Sequence, residues 1–467
     1  VYDRLRTLEA TGHINQYDSS KIELIISGGT FNFYPIGYIE WFSKCAYYAF
    51  NTYNNITNGQ QLREVGNLIE EQKINEVAPH RVIGLTIETR PDYITTTDKN
   101  GVINFSQIEL FRRIGVTRVQ IGLQSTNDYI LKKINRKCTN EDNKTGIRRL
   151  KQNGFKTDIH IMLDLPFSSP TIDKEVIDEI VYDSDLQADQ WKIYPTAVTP
   201  FTKIKEWYDN GKYKPYAEID NASILVEIIT HAMSKVPEYV RINRVVRDIP
   251  VKSIIGGLKR SNLRQVIRNN MISDGVKCHD IREREIKFTD YSSDDIKLKI
   301  NNYSSSGGEE FFISYVSQDD MNLYGFIRLR INNDYSDVLK CLHKHALIRE
   351  LHVFGEHCPI DNIGNFKHTQ HRGLGKRLLN IAEFIAYTNG LRKIAVISGT
   401  GVRNYYKKRG YTLGELHYMY KNLCPTHLMY DYLSYLDFKN IKYLITLFII
   451  LGIIFFIYNT RCKVLSF

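Results

Sequence analysis

QHRGLGKRLL, residues 370–379, sets two glycines one residue apart between a polar lead-in and a basic, leucine-rich run. Just upstream, LHVFG (351–355) has the composition of a strand. Just downstream, Leu378, Leu379, Ala382 and Ile385 recur at helical spacing. Strand, glycine turn and helix together present free backbone N–H groups at a helix N-terminus, which suits a pyrophosphate. Glycines serve there because a side chain would hold the phosphates off the amides. An ordinary loop leading into a helix is the plain alternative.

Working outward, EFFISYV (310–316) and YGFIRLRI (324–331) read as a hairpin-like pair, followed by LIRELHVFG (347–355), the glycine turn with its helix, KIAVISG (393–399) and a last helix ending at YYKKRGY. SSSGG, 304–308, reads as a linker tip or turn ahead of this α/β unit. Between residues 22 and about 195, β-like runs alternate with helical patterns: IELIISGG, VIGLTIET, RVQIGLQS, KTDIHIMLDLP and QWKIYPT are the runs. Read as apolar throughout, they predict a parallel sheet covered on both faces, a full or partial βα barrel. Barrel chemistry sits at the strand ends, so Gly28, Gly29, Thr30, Glu88, Arg90, Gln124, Ser125, Asp164 and Lys192 are expected on one rim. Residues 200–285 read as helix-rich and basic.

The chain has 467 residues, 43% hydrophobic and 24% charged, enough for two or three domains with cores of their own and too apolar for disorder. A formal net charge of +10 favours phosphate-bearing partners. The 7 cysteines (45, 138, 278, 341, 358, 424 and 462) show neither a disulfide framework nor a CxxC pair, which implies a reducing compartment. YLITLFIILGIIFFIY, 443–458, is apolar and flanked by Lys439, Lys442, Arg461 and Lys463. It approaches the roughly 17 to 25 residues that span a bilayer. A transmembrane tail anchor over 441–459 is expected, holding the domains on the cytoplasmic side of the mitochondrial outer membrane or endoplasmic reticulum.

Gln370, Gly373 and Gly375 form a Q-x-x-G-x-G pattern that resembles the acetyl-CoA loop of the GNAT acetyltransferases, and RNYYKKRGY (403–411) resembles their helix-and-turn signature. The resemblance implies acetyl-CoA contacts from Gln370, His371, Arg372, Gly373, Leu374 and Gly375. It implies Tyr406 as the hydroxyl beside the departing thiolate, with Tyr405 as its substitute. SGGTF (27–31), TIETRPDYI (86–94), RVQIGLQS (118–125), HIMLDLP (160–166), KIYPT (192–196), RVVRDIP (244–250), NLRQ (262–265), CHDIREREI (278–286) and RELHVFG (349–355) stand in one order ahead of that signature. The set resembles the catalytic, third-subunit family of Elongator over nearly all of residues 1–421.

That family joins a radical-SAM barrel to a GNAT-like domain. The resemblance implies an α/β fold with a partial TIM barrel over 1–200, a basic helical extension over 201–290 and a GNAT domain over 291–425. It implies a tRNA uridine(34) acetyltransferase, or carboxymethyluridine synthase, that uses acetyl-CoA, S-adenosyl-L-methionine and a [4Fe–4S] cluster to modify carbon 5 of the wobble base. Neither an acetyl methyl nor that ring carbon offers an acid–base route, so the cofactors carry the chemistry. By resemblance, Gly28, Gly29, Thr30, Glu88, Gln124 and Ser125 contact SAM, and Lys192 serves catalysis and the acetyl-CoA region. Glu88 paired to Arg90 as a brace is the alternative. Arg241, Arg244, Arg247, Arg260, Arg264 and Arg282 are expected to meet the tRNA backbone. Cys278, with His279 and His352, falls in a segment where the family suggests zinc. Other Elongator subunits or a second copy are implied partners.

Two departures stand out. The three closely spaced cysteines that hold the family's cluster are absent before Cys45. Val1 begins inside a helical pattern, so the expectation is that they lie upstream, the alternative being a degenerate relative that keeps CoA binding alone. No acidic residue is identifiable as a lysine-acetylation base, which weighs against a protein (histone) lysine N-acetyltransferase. A non-catalytic, membrane-tethered tRNA-binding remnant is the third reading.

Overall fold

The computed structural model describes residues 1–14, 20–97, 101, 103–286, 296–355 and 373–425. Gln370, His371, Arg372 and the 443–458 run lie outside them. Among the described residues no helix is long and apolar enough to cross a membrane.

Six parallel strands form the first sheet, in the order β1 (Ser20–Ile26), β2 (His80–Thr89), β3 (Arg118–Gln124), β4 (Lys156–Leu163), β5 (Gln190–Pro195) and β7 (Arg241–Arg244). The short β6 (Ala197–Val198) and β8 (Gly256–Gly257) pair antiparallel. The expected partial barrel is present, with two corrections. RINR, read within a helix-rich segment, supplies the sixth strand, so the barrel draws on residues beyond 200. Nor are both faces covered alike. Val119, Ile121 and Leu123 of β3, Ile159, Ile161 and Leu163 of β4, and Trp191 and Ile193 of β5 are buried in the apolar core. The alternate positions carry Gln120, Asp158, Gln190 and Lys192, where Lys192 meets Gln120 and Asp158, and Asn243 joins Gln190 to Asp158, on the concave side. A half-barrel encloses its inner face, so period-2 alternation puts polar groups there and leaves only the outer face to the helices.

The second sheet runs β14 (Thr412–Leu413), β15 (Met419–Asn422), β13 (Lys393–Val396), β12 (His345–Val353), β11 (Leu323–Asn332), β10 (Gly308–Ser317), β9 (Ile296–Ser305). SSSGG is a hairpin turn joining β9 to β10, with left-handed φ of 48° at Ser306 and 73° at Gly307. It also docks on the first domain, where the Ser306 amide donates to Ser184 O at 3.1 Å. β12 and β13 pair in parallel from His345↔Lys393 to Ile348↔Val396. The helix Leu374–Thr388 packs on this sheet through Leu378, Leu379 and Ala382, as the sequence spacing predicts.

One apolar core runs through both sheets, and a buried ionic cluster crosses between them. Asp189, just ahead of β5, accepts both Arg349 Nη atoms at 2.8 and 2.6 Å. Arg349 also reaches Glu310 at 2.9 Å, and Arg330 meets Glu310 at 3.0 Å. Arg328 donates to Glu350 at 2.9 Å and to Tyr239 O at 2.7 Å, and Lys156 lies 3.4 Å from Glu350. A register shift between Arg328 and Leu329 opposite β12 is a bulge. It lets the consecutive Arg349 and Glu350 both serve this cluster, where a regular strand would separate them. Burial drives Lys151, beside Glu310, down to about 8. The glycines of ISGTGV make the close approach: a Cβ on Gly399 would lie 1.9 Å from Ile83 O.

Arg349→Met leaves Asp189 and Glu310 buried without their main cation, so we expect a loss of about 3–5 kcal/mol, read by urea unfolding; a loss below 1 kcal/mol would contradict it. Burial opposes the charge on Glu350, but Lys156 and Arg328 hold its carboxyl down at about 2. Its folded pKa lies below an unfolded value of about 4.3. Its contribution is therefore complete above that value and drains away as pH falls toward 2. Unfolding free energy between pH 5 and 3 should fall more steeply in the wild type than in Glu350→Gln, and parallel slopes would count against the assignment.

Candidate active site

Gly28 and Gly29 follow β1 in left-handed conformations, with φ of 124° and 118°. Their amides donate to Glu88 Oε2 at the end of β2, at 3.0 and 3.3 Å. The residues of SGGT therefore shape a loop of exposed backbone held by one carboxylate, and Thr30 leads from it into the short helix Phe31–Phe33. The Glu88–Arg90 brace does not form: Arg90 pairs with Asp92 at 2.5 Å. Gln124 ends β3 with a φ of 71°. Ser125 is buried, and its hydroxyl accepts the Asn127 amide at 3.2 Å, a turn-building role. The Glu88 carboxylate makes this rim an acceptor suited to a ligand ammonium, the two glycine amides being already spent on it.

Below the rim, Lys192 Nζ donates to Gln120 Oε1 at 2.5 Å and stands 3.8 Å from Asp158. Burial lowers the Lys192 pKa and raises that of Asp158, while each charge works against the other's shift. Asn243 bridges Gln190 at 2.6 Å and Asp158 at 3.4 Å, while Arg118 links Thr86 and Gln190. His160 lies level with Lys192 and Tyr194 one step nearer the rim, with ring centroids 5.4 Å apart. Gln120, Asp158, His160 and Tyr194 were not singled out from sequence; the polar alternation inside strands read as uniformly apolar was the signal available. Among the described residues Lys192 is bonded within the lumen, to Gln120 and beside Asp158.

At that turn the two glycines have different reasons. Gly373 takes a left-handed φ of 76° as the cap of the helix, and open space surrounds it. Gly375 answers a close approach: a Cβ there would lie 2.8 Å from the Tyr405 hydroxyl. The first-turn amides from Leu374 onward have no partner within the helix. The Lys376 and Arg377 side chains beside them are exposed, and amides and cations together make a set of donors that fits a pyrophosphate. Of the tyrosine pair, Tyr405 places its hydroxyl at this turn, under the Arg409 guanidinium 3.4 Å from its ring. Tyr406 is buried in the core against Tyr405 and Tyr411, and burial raises its pKa.

The six arginines divide. Arg241 pairs with Glu285 at 2.6 Å and Arg264 with Glu283 at 3.0 Å, which brace the helix Ile281–Arg284. Arg244, Arg247 and Arg282 are exposed, though Arg244 pairs with the likewise exposed Asp248 and Arg282 donates to Asn243 O, and Arg247 lies 5.7 Å over the Tyr194 ring. Arg260 reaches Asn221. The zinc expectation at Cys278 is corrected: among the described residues no group of three or more His, Cys, Asp or Glu is placed to hold a metal. Burial pushes the Cys278 thiol up to about 12, and it donates to Asp280 at 3.6 Å. The described cysteines, Cys45, Cys138, Cys278, Cys341 and Cys424, form no triplet, so they do not fit a [4Fe–4S] cluster.

A half-barrel with a glycine rim, fused to a sheet with an anion-binding helix turn, defines a two-domain enzyme class. Family models agree: Radical SAM superfamily over 8–166, Radical_SAM C-terminal domain over 188–273, and Acetyltransferase (GNAT) family over 277–411. The tRNA uridine(34) acetyltransferase of Methanocaldococcus jannaschii is 38% identical over 87% of this chain and 72% of its own length. Elongator complex protein 3 of Homo sapiens is 33% identical over 88% of this chain and 71% of its own. The solved structure of Methanocaldococcus infernus Elp3 with an N-terminal deletion aligns with a TM-score of 0.79 at 37% identity, covering 90% of this chain and 94% of that one. The chain belongs to this tRNA uridine(34) acetyltransferase family, shared with Elongator complex protein 3, and is an acyltransferase.

Gly375→Ala should displace the Tyr405 hydroxyl and weaken coenzyme A binding by about tenfold in titration calorimetry. Adding Tyr405→Phe, which removes the clashing atom, should recover part of that loss. Wild-type affinity in Gly375→Ala would rule out the close approach.

Proposed function

We propose that this chain modifies the wobble uridine of tRNA at carbon 5 with a carbon unit drawn from acetyl-CoA. The observation that supports this most is the rigid, buried union of a polar barrel lumen with an anion-binding helix turn. A nucleobase site and a thioester site are thereby held in one body. Acetyl-CoA supplies an activated acetyl group, and SAM chemistry in the radical SAM superfamily supplies the means to activate its methyl. The chain's own residues do the rest. Amides at Gly373–Gly375 grip the pyrophosphate, with Gln370, His371 and Arg372 as the proposed lead-in. The Tyr405 hydroxyl, in reach of that turn, donates a hydrogen bond to the departing thiolate. Arg244, Arg247 and Arg282 meet RNA phosphates. No step is derived through the iron–sulfur cluster, whose ligands the described cysteines do not supply.

Lysine acetylation of proteins finds no such support. The single carboxylate on β12, Glu350, is committed to Arg328 and Lys156 and is not available as a base. We further propose, on the sequence alone, that the apolar run at 443–458 anchors the domains to a cytoplasm-facing membrane. The mitochondrial outer membrane or the endoplasmic reticulum is the proposed destination.

The function predicts that tRNA stimulates acetyl-CoA turnover by the purified chain while histone peptides do not. Equal turnover with and without tRNA would remove its basis.

A further inference from the structure

His160 sits on β4 with Lys192 as its Cα partner on β5, so both side chains face the lumen at one level. The ring is half-buried, yet its Nε2 is closed to solvent and has no hydrogen-bond partner among the described residues. A buried acceptor left unmet costs about 1–3 kcal/mol, and native structures seldom leave one without a ligand or water. Around it stand Lys192, Arg247 and Arg136, the last donating to Gly122 O at 2.5 Å. Burial and those three cations drive the imidazole pKa down to about 3, which keeps the ring neutral and able to accept. The Tyr194 ring, 5.4 Å away and capped by Arg247, supplies an aromatic wall. Asp158 Oδ1 is also unpartnered, but it lies deeper, fully buried beside Asn243 and Lys192.

Resting on the wobble-uridine reading above, we infer that His160, in its Nδ1-protonated tautomer, reads the pyrimidine: its Nε2 accepts the N3–H of uracil while the Lys192 ammonium faces the C4 carbonyl. The uracil edge presents acceptor, donor, acceptor, and this pair of groups complements two adjacent positions of it. Lys192 has three N–H donors and spends one on Gln120, so a donor remains for the base. Cytosine would turn its N3 lone pair toward the Nε2 lone pair and its exocyclic amine toward the ammonium. Both contacts are then repulsive. A modest rotation of the half-exposed ring about its soft χ2 opens Nε2 to the lumen. Because that atom gains nothing from solvent in the empty site, a base donor adds a full hydrogen bond.

The test is fluorescence anisotropy of the full chain with anticodon stem-loop RNAs carrying uridine, 3-methyluridine or cytidine at the wobble position. Wild type should bind the uridine RNA about tenfold tighter than either other. His160→Phe should lose the preference over 3-methyluridine and most of that over cytidine, the Lys192 contact keeping the rest, while phosphate contacts persist. His160→Gln, which keeps an oxygen acceptor, should regain part of the preference. Equal binding of uridine and 3-methyluridine RNAs by wild type overturns the inference without any variant, as does an unchanged preference in His160→Phe. Failure of every RNA to bind would instead strike the proposed function, and the inference with it.

Discussion

Asp189, Arg349 and Glu310 form the contact on which the rest of the molecule depends. Asp189 and Arg349 are separated by 160 residues in sequence, yet the carboxylate and guanidinium meet in a bidentate pair with no solvent around them. Two sheets of quite different build, a half-barrel and a mixed sheet, share one apolar core and are tied across it at this point. A buried ion cluster adds little over well-packed apolar groups when complete. Its force lies in what happens when it is incomplete, because each member left alone is a desolvated charge. That asymmetry fixes the register of one domain on the other. The bulge in β12 and the glycines at 399 and 401 serve the same end, re-aiming one side chain and letting backbones approach.

The docking also decides which ends of the sheets remain for chemistry. Asp189, Lys156 and Thr117 stand at the starting ends of the barrel strands, so the second domain covers that end. The opposite end, with Gly28, Gly29, Glu88 and Gln124, stays open. Between the two lies the polar column of Asp158, Gln120, Lys192 and His160, in which Gln120 and Asp158 both meet the Lys192 ammonium. On the second domain, the helix turn at Gly373 sits on the sheet face away from the barrel-facing ions. One chain thus holds an anion-binding turn and an enclosed polar lumen at a fixed separation.

Much of this was legible in the sequence, and the exceptions have physical reasons. The glycine pair at 373 and 375 announced a phosphate turn, although its second glycine answers to a tyrosine hydroxyl and not only to phosphates. Five of the six barrel strands stood out as β-branched runs, while RINR, four residues long and half arginine, carried no such signal. Side-chain alternation in DIHIML and QWKIYP was present but was masked by long apolar residues on the outer face. Adjacent tyrosines cannot be told apart without the helix phase, and it is Tyr405 that reaches the turn. The ionic junction was not readable at all, because its members are scattered and each alone looks like an ordinary surface charge. The arginines of 241–284 looked alike in sequence but split into braces and exposed cations once their acidic partners were in place.

The central claim is that the two domains are one cooperative body fused by buried charge. Native-state hydrogen exchange tests it most directly, by comparing amides of Ile161 in the barrel with those of Ile313 in the second sheet. The account predicts that both exchange only through the same global opening, with equal free energies that fall together in Arg349→Met. Separate opening energies, with one domain exchanging while the other stays protected, would contradict it.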